Sequence, residues 1–415
     1  MKSILRKVTS ICIATAMVAA MGLTSLADEN IGGNGTVLGN KDPADALEKT
    51  LVIEKELTAY NAETTSIYAP NISYSYTATG VSGKTVTDSD GVSAVTKAGV
   101  TAGLTITGVA WTDAEQINAS STGVANRKDI TIDFSGVDFP GAGVYRYQIA
   151  ETCSPTKAVA GVTEGTIADS RYLDVYVRDP RTGESGDIIY GYVLFENNND
   201  IDGRASATTN TVDDANKTEG FVAISGTGTT LSADSYYTYN VSVTKRLVND
   251  AGNATNAFPF ELTFTRTNGT DFALVKAETA GTSSADMSAL VTTAIKDGDT
   301  TTFYGIPCGT TVDIVEENNV STAAYSVTTS GDADVNITTA VIRNYGEKTG
   351  ATAVQINSTA ADTAVAATKA VTFQNELALI SPTGVAMAVL PFVIMLVFGL
   401  GFMAVATKKK ADEQA

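Results

Sequence analysis

The chain reads as an all-β protein: two immunoglobulin-like β-sandwiches in tandem, with a signal peptide in front and a transmembrane helix behind. Three observations predict this. The 415 residues are enough for two or three domains with separate cores. Between the two ends, apolar and polar residues alternate with period two, Thr, Val and Tyr abound, and Gly- and Asp-rich turns punctuate the pattern. Two long blocks of this alternation also repeat the same order of features, which points to one unit used twice.

Residues 1–27 predict a signal peptide. Lys2, Arg6 and Lys7 precede an apolar stretch from Ile11 to Leu23, and Ser25 and Ala27 are the small residues of a cleavage site. Residues 28–47, rich in Gly, Asn and Asp, form a flexible lead. The first sandwich covers 48–235. Its alternating runs include Leu51-Ile53-Lys55, Ile72-Tyr74-Tyr76, Ile130-Ile132-Phe134, Tyr145-Tyr147-Ile149-Glu151 and Leu173-Val175-Val177. The second covers 239–377, with Val241-Val243-Lys245, Phe258-Phe260-Leu262-Phe264, Val312-Ile314-Glu316 and Val371-Phe373-Asn375.

At the C-terminal end, Val385 to Ala406 is an apolar run of about the ~20 residues that a bilayer core requires. Lys408, Lys409 and Lys410 open the tail 407–415, which the positive-inside rule leaves in the cytoplasm with the preceding chain outside.

Composition narrows the functions. The chain has no histidine, which removes Ser-His-Asp and Cys-His catalysis and His-ligated metals. A formal charge of −18 argues against a nucleic-acid binder, which needs clustered Lys and Arg. The segment Asn198-x-Asp200-x-Asp202-Gly203 imitates the start of a calcium loop, but its twelfth position is Thr209 rather than Glu, so it reads as a polar turn. No metal, cofactor or turnover enzyme is expected. Of the three cysteines, Cys12 leaves with the signal, while Cys153 and Cys308 fall in different blocks and are expected to stay unpaired.

The lysine and glutamate that end the inward runs carry the chemistry. Period two puts Lys55, Glu151, Lys245 and Glu316 on the core face, where a charge is costly unless neutralised or paired. Burial lowers the lysine pKa and raises that of the glutamate. Asn375 lies inward on the last strand of the second block, and the first and last strands of such a sandwich can lie side by side. A neutral Lys245 amine beside the Asn375 carboxamide, with protonated Glu316 as the proton relay, forms an amide and releases ammonia. The alternative is a buried Lys–Glu ion pair with a hydrogen-bonded Asn.

Asn240-Val241-Ser242-Val243-Thr244-Lys245, Phe258-Pro259-Phe260, Val312-Asp313-Ile314-Val315-Glu316, Val371-Thr372-Phe373-Gln374-Asn375 and, in the first block, Gly143 to Thr152 resemble the isopeptide-forming domains of Gram-positive backbone pilins. Ile380-Ser381-Pro382-Thr383-Gly384 before the apolar run is similar to a cell-wall sorting signal, with Ser381 where proline is usual. The resemblance implies pilin-type sandwiches with internal Lys–Asn bonds, Glu151 and Glu316 catalysing each bond, and sortase cleavage between Thr383 and Gly384. It implies a chain anchored in the membrane before sorting and then joined to other copies of itself and to peptidoglycan at the Gram-positive cell surface.

The first block departs from the family pattern, because Ala223 stands where the acceptor Asn is usual. Asn197 is the preferred acceptor for Lys55, Asp234 the second, and no bond the third reading. The resemblance places Lys217 as the surface lysine that joins subunits, with Lys128 and Lys157 as further candidates. The rival function is a monomeric wall-anchored adhesin with the sandwiches as its stalk. No residue pattern names a host ligand.

Overall fold

The computed structural model describes residues 46–87, 93–199, 217–225, 230–266, 272–278, 281–286, 290–331, 340–352 and 368–378. The expected signal peptide 1–27, most of the lead 28–47, Thr383 and Gly384, the apolar run 385–406, the tail 407–415 and the greater part of the calcium-like segment lie outside them. No helix among the described residues is long and apolar enough to cross a membrane.

Strand is the dominant regular structure of the described chain, which otherwise has one short helix (Lys157–Ala160) and one 3-10 turn (Ala251–Asn253). In the first half two sheets face each other. One runs in the order Ile188–Phe195, Ser170–Arg178, Gly143–Ser154, Ile72–Gly80 and Val109–Trp111. The other is built on the opening strand Thr50–Tyr60, which pairs antiparallel with Val124–Asp133 on one side. On its other side it pairs parallel with Gly220–Phe221 and then with Asp234 to Tyr237. Leu51, Ile53, Ile130, Ile132, Phe134, Tyr147, Leu173 and Val175 fill the space between the sheets, as their alternation requires.

The second half repeats this plan. Leu290–Ile295, Phe258–Arg266, Thr310–Glu317 and Lys348–Thr352 form one sheet. The facing sheet contains Thr300–Pro307, Asp234–Val248, Thr368–Leu377 and Tyr325–Gly331 in that order. Its core, including Tyr239, Val241, Val243, Phe260, Phe303 and Phe373, is separate from the first.

One strand, Asp234–Val248, serves both halves: its beginning closes the first sandwich and its remainder opens the second. Plain alternation lets it serve both, since Asp234 and Tyr236 face the opposite way from Tyr239, Val241, Val243 and Lys245; the extra residue of the nearby register shift lies in the partner strand Thr300–Pro307. Asp234 and Tyr236 point into the first core, whereas Tyr239, Val241, Val243 and Lys245 belong to the second.

At the junction Asn61, Thr238 and Asn240 pair with one another. Asn61 Nδ2 donates to Thr238 Oγ1 at 2.9 Å and to Asn240 Oδ1 at 2.8 Å, while Asn240 Nδ2 returns a bond to Asn61 Oδ1 at 3.0 Å. Tyr60 and Tyr237 stack beside it with centroids 4.5 Å apart. Buried amides that satisfy one another fix the register of two segments more strictly than apolar contact would.

Candidate functional site

Each core contains a buried lysine held by side chains from both sheets. In the second sandwich Lys245 comes from the strand shared by the two halves, Asn375 from the parallel strand beside it, and Glu316 from the facing sheet. All three are buried, with Lys245 and Asn375 at 0% exposure. Lys245 Nζ lies 2.8 Å from Glu316 Oε1, and Asn375 Nδ2 donates to that same oxygen at 2.9 Å. Amine and carboxamide therefore meet at one carboxylate oxygen.

The walls around this cluster are apolar. The Lys245 ammonium sits 4.4 Å from the centroid of the Phe258 ring, and Phe260 packs edge-on against Phe373. Desolvation lowers the Lys245 pKa to about 8, only partly offset by Glu316, and the same burial raises that of Glu316. The two shifts run toward each other, so moving the shared proton from lysine to glutamate costs far less here than in water. Asn375 Oδ1 and Glu316 Oε2 have no hydrogen-bond partner among the described residues.

In the first sandwich Lys55 Nζ lies 2.7 Å from Glu151 Oε1 and 2.8 Å from Asp234 Oδ2. Tyr76 donates its hydroxyl to Glu151 Oε2 at 3.0 Å and Tyr74 donates to Asp234 Oδ2 at 3.0 Å. Burial first, then the neighbouring carboxylates, push both phenols well above their ordinary range, so they remain donors. Desolvation raises the Glu151 pKa more than Lys55 lowers it. For Asp234 the desolvation is outweighed by Lys55, Lys157 and the Gly165 N–H, and its pKa falls below the usual value.

The two clusters share one register. Leu247, two residues after Lys245, stands opposite Asn375, and Leu57, two residues after Lys55, stands opposite Asp234. Both pairings are parallel, so Asp234 occupies in the first sandwich the position that Asn375 occupies in the second. Asn197, the preferred acceptor from sequence, is exposed just beyond the strand Ile188–Phe195, on the sheet facing the one that carries Lys55. The Val-x-Phe-x-Asn likeness there is a local pattern on a strand that does not neighbour the opening one. Asp234 is the residue that meets Lys55.

Lys217 also differs from its expected place. It is 3% exposed and bridges to Phe195, because residues 217–221 run between the sheets' edges rather than across the surface. Lys128 is paired with Glu115, and Lys157 with Asp169 and Asp234. Cys153 and Cys308 are both free thiols. The hydroxyls of Tyr74 and Tyr76 and the amide of Gly165 were not singled out as site residues from sequence. The inward alternation of Ile72-Tyr74-Tyr76 was the available signal for the first two.

A family described as Domain of unknown function (DUF7601) matches residues 239–376. No curated protein matches the chain in sequence. Among solved structures, the major pilin protein T3.2 from Streptococcus pyogenes is 17% identical, with 79% of this chain and 98% of that chain covered and a TM-score of 0.42. Another structure of the major pilin from Streptococcus pyogenes is 17% identical over 80% of this chain and 99% of that one, with a TM-score of 0.41. The pilus-presented adhesin Cpa is 13% identical over 50% of this chain and 35% of that chain, with a TM-score of 0.24. Identity and TM-scores this low leave the residues themselves to carry the chemistry.

Proposed function

We propose that this chain is a structural subunit of a Gram-positive cell-surface pilus, stiffened by two self-formed cross-links, Lys55–Asp234 and Lys245–Asn375. The observation that supports this is the same lysine–glutamate–acceptor cluster, in the same strand register, at the centre of two sandwiches in one chain. A buried ion pair is a poor source of net stability, so its repetition calls for another use.

In the second sandwich Lys245 and Glu316 share one proton. With it on Glu316, the neutral amine attacks Asn375 Cγ while the glutamic acid hydrogen-bonds the carboxamide oxygen. A half-turn of the carboxamide brings the unpartnered Oδ1 to Glu316. The new Nζ–Cγ bond forms, the Cγ–Nδ2 bond breaks, and ammonia leaves with the proton that Nζ gives up, relayed by Glu316. In the first sandwich Glu151 is the relay and Asp234 the acceptor, and water leaves instead. Each reaction happens once, so the chain is its own single-turnover catalyst.

Both links tie a first strand to a last one, and the shared strand Asp234–Val248 carries the acceptor of one link and the nucleophile of the next. Tension would then pass from Lys55 to Asp234, along that strand to Lys245, and out through Asn375, bypassing both sandwiches. Such a load path suits a shaft subunit joined end to end by a sortase at Thr383, with peptidoglycan as the final attachment. Intact mass of the purified protein tests the cross-links: one ammonia and one water should be missing. An immunoblot of a wall extract tests assembly. A ladder of high-mass species supports the pilus, and a single band supports a monomeric wall-anchored adhesin instead.

A further inference from the structure

We propose that the segment 155–169 forms an oxyanion cradle for the Lys55–Asp234 condensation, with Lys157 Nζ and the Gly165 N–H as its donors. The proposal rests on the condensation described above. The segment leaves the strand that bears Glu151, makes the short helix Lys157–Ala160, turns at Gly161, and pairs Val162 and Thr163 with Tyr236 and Ser235. Ala160, Val162 and Ile167 are buried in the first core and anchor it there. This lays the segment directly over Asp234.

The two oxygens of Asp234 are treated differently. Oδ2 faces the nucleophile, accepting from Lys55 at 2.8 Å and from the Tyr74 hydroxyl at 3.0 Å. Oδ1 faces the segment, accepting from the Gly165 N–H at 3.1 Å, with Lys157 Nζ also at 3.1 Å. When Lys55 Nζ attacks Cγ, the developing negative charge can rest on Oδ1, between an amide dipole and an ammonium. Oδ2 then becomes the leaving oxygen. Two protons leave Nζ, one relayed by Glu151, and both end on Oδ2, which departs as water. The charges of ammonium and carboxylate cancel, and no co-reactant is needed.

Two features mark the cradle as built for a carboxylate. A side chain at position 165 would overlap the carbonyl oxygens of Ser232 and Ala233, so glycine is what lets this N–H reach Asp234. In the second sandwich the residues after the glutamate strand, 318–324, lead into Tyr325–Gly331, which pairs along the Asn375 strand, and the Asn375 Oδ1 has no hydrogen-bond partner among the described residues. A carboxamide is neutral and accepts an amine more readily than a carboxylate, which resists a second negative charge. Lys157 supplies the compensation. Desolvation pulls its pKa down, but Asp234 and Asp169 more than offset this and hold it charged.

The test follows both cross-links in the full chain by pulsed cell-free synthesis, a timed chase, and mass spectrometry of the Lys55–Asp234 and Lys245–Asn375 linked peptides. Lys157→Met should slow the first link by about 10²–10³-fold, the usual loss for one oxyanion donor. The second link should keep its rate and so report intact folding, and Lys157→Arg should restore much of the first. With Asp234→Asn as the acceptor, ammonia leaves, and Lys157→Met should matter by less than about tenfold, since no carboxylate charge needs offsetting. An unchanged rate in Lys157→Met, or an equal loss with either acceptor, overturns the cradle. Absence of the first linked peptide from the wild-type chain overturns the condensation itself, and the cradle with it.

Discussion

Glu316→Gln is the substitution that isolates the contribution of the proposed Lys245–Asn375 cross-link. Glutamine keeps the shape of the side chain and an oxygen to accept from Asn375 Nδ2, but it cannot relay the proton that Lys245 must lose. The Lys245–Asn375 bond should fail to form, and the variant should retain the ammonia that the wild type loses. The link closes a loop of about 130 residues, and the chain-entropy relation for a cross-link of that length gives about 5 kcal/mol. For a domain of this size that corresponds to roughly 15 °C in the melting temperature of the second sandwich. Differential scanning calorimetry on wild type and variant, with intact mass on the same samples, reads both quantities. An ammonia loss that persists in Glu316→Gln would refute the relay role. A bond that disappears with less than a few degrees of change would refute the entropic reasoning, placing the link off the path along which the domain unfolds.

Further expectations concern pH, the acceptor, the junction and force. The Lys245–Glu316 pair reacts only while it holds one shared proton, so the rate of the second link should be bell-shaped in pH. Its alkaline limb should fall near about 8, where Lys245 loses its proton while Glu316 is already ionised; a rate still rising well above that pH would contradict the relay. Asp234→Ala should abolish the water loss from the first sandwich, whereas Asn197→Ala should leave it unchanged; intact mass separates the two. Asn61→Ala leaves Asn240 with a buried, partly unsatisfied amide and should destabilise the junction by about 1–3 kcal/mol, read as a fall in the denaturant midpoint. Under force the wild-type sandwiches should not extend, while Glu316→Gln should release about 130 residues, roughly 45 nm at ~3.6 Å each.

The inward positions of Lys55, Glu151, Lys245 and Glu316 were legible because side-chain alternation is a property of each strand alone. Once Leu51 and Ile53, or Val312 and Ile314, are assigned to the core, the residue two places on must follow them. Asn375 was legible for the same reason. The all-β class follows from that periodicity, and two free cysteines follow from their separation between blocks.

Which strand lies beside which is not a local property, and there the sequence reading stopped. Asn197 carries the right pattern on a strand that does not border the opening one. Asp234 carries no such pattern, yet parallel pairing sets it opposite Leu57 and so against Lys55. Alternation along the shared strand also hides it, because counting by twos back from Lys245 puts Asp234 on the opposite face, and only the packing of the first sandwich there makes that face a core as well. Lys217 is buried by a bridge to Phe195, a residue more than twenty positions earlier. The sequence by itself determined that each core would contain a lysine and a glutamate, since alternation needs only neighbours along the chain. The tertiary structure alone decided which acceptor each lysine meets, since strand order and parallel register depend on contacts between residues far apart.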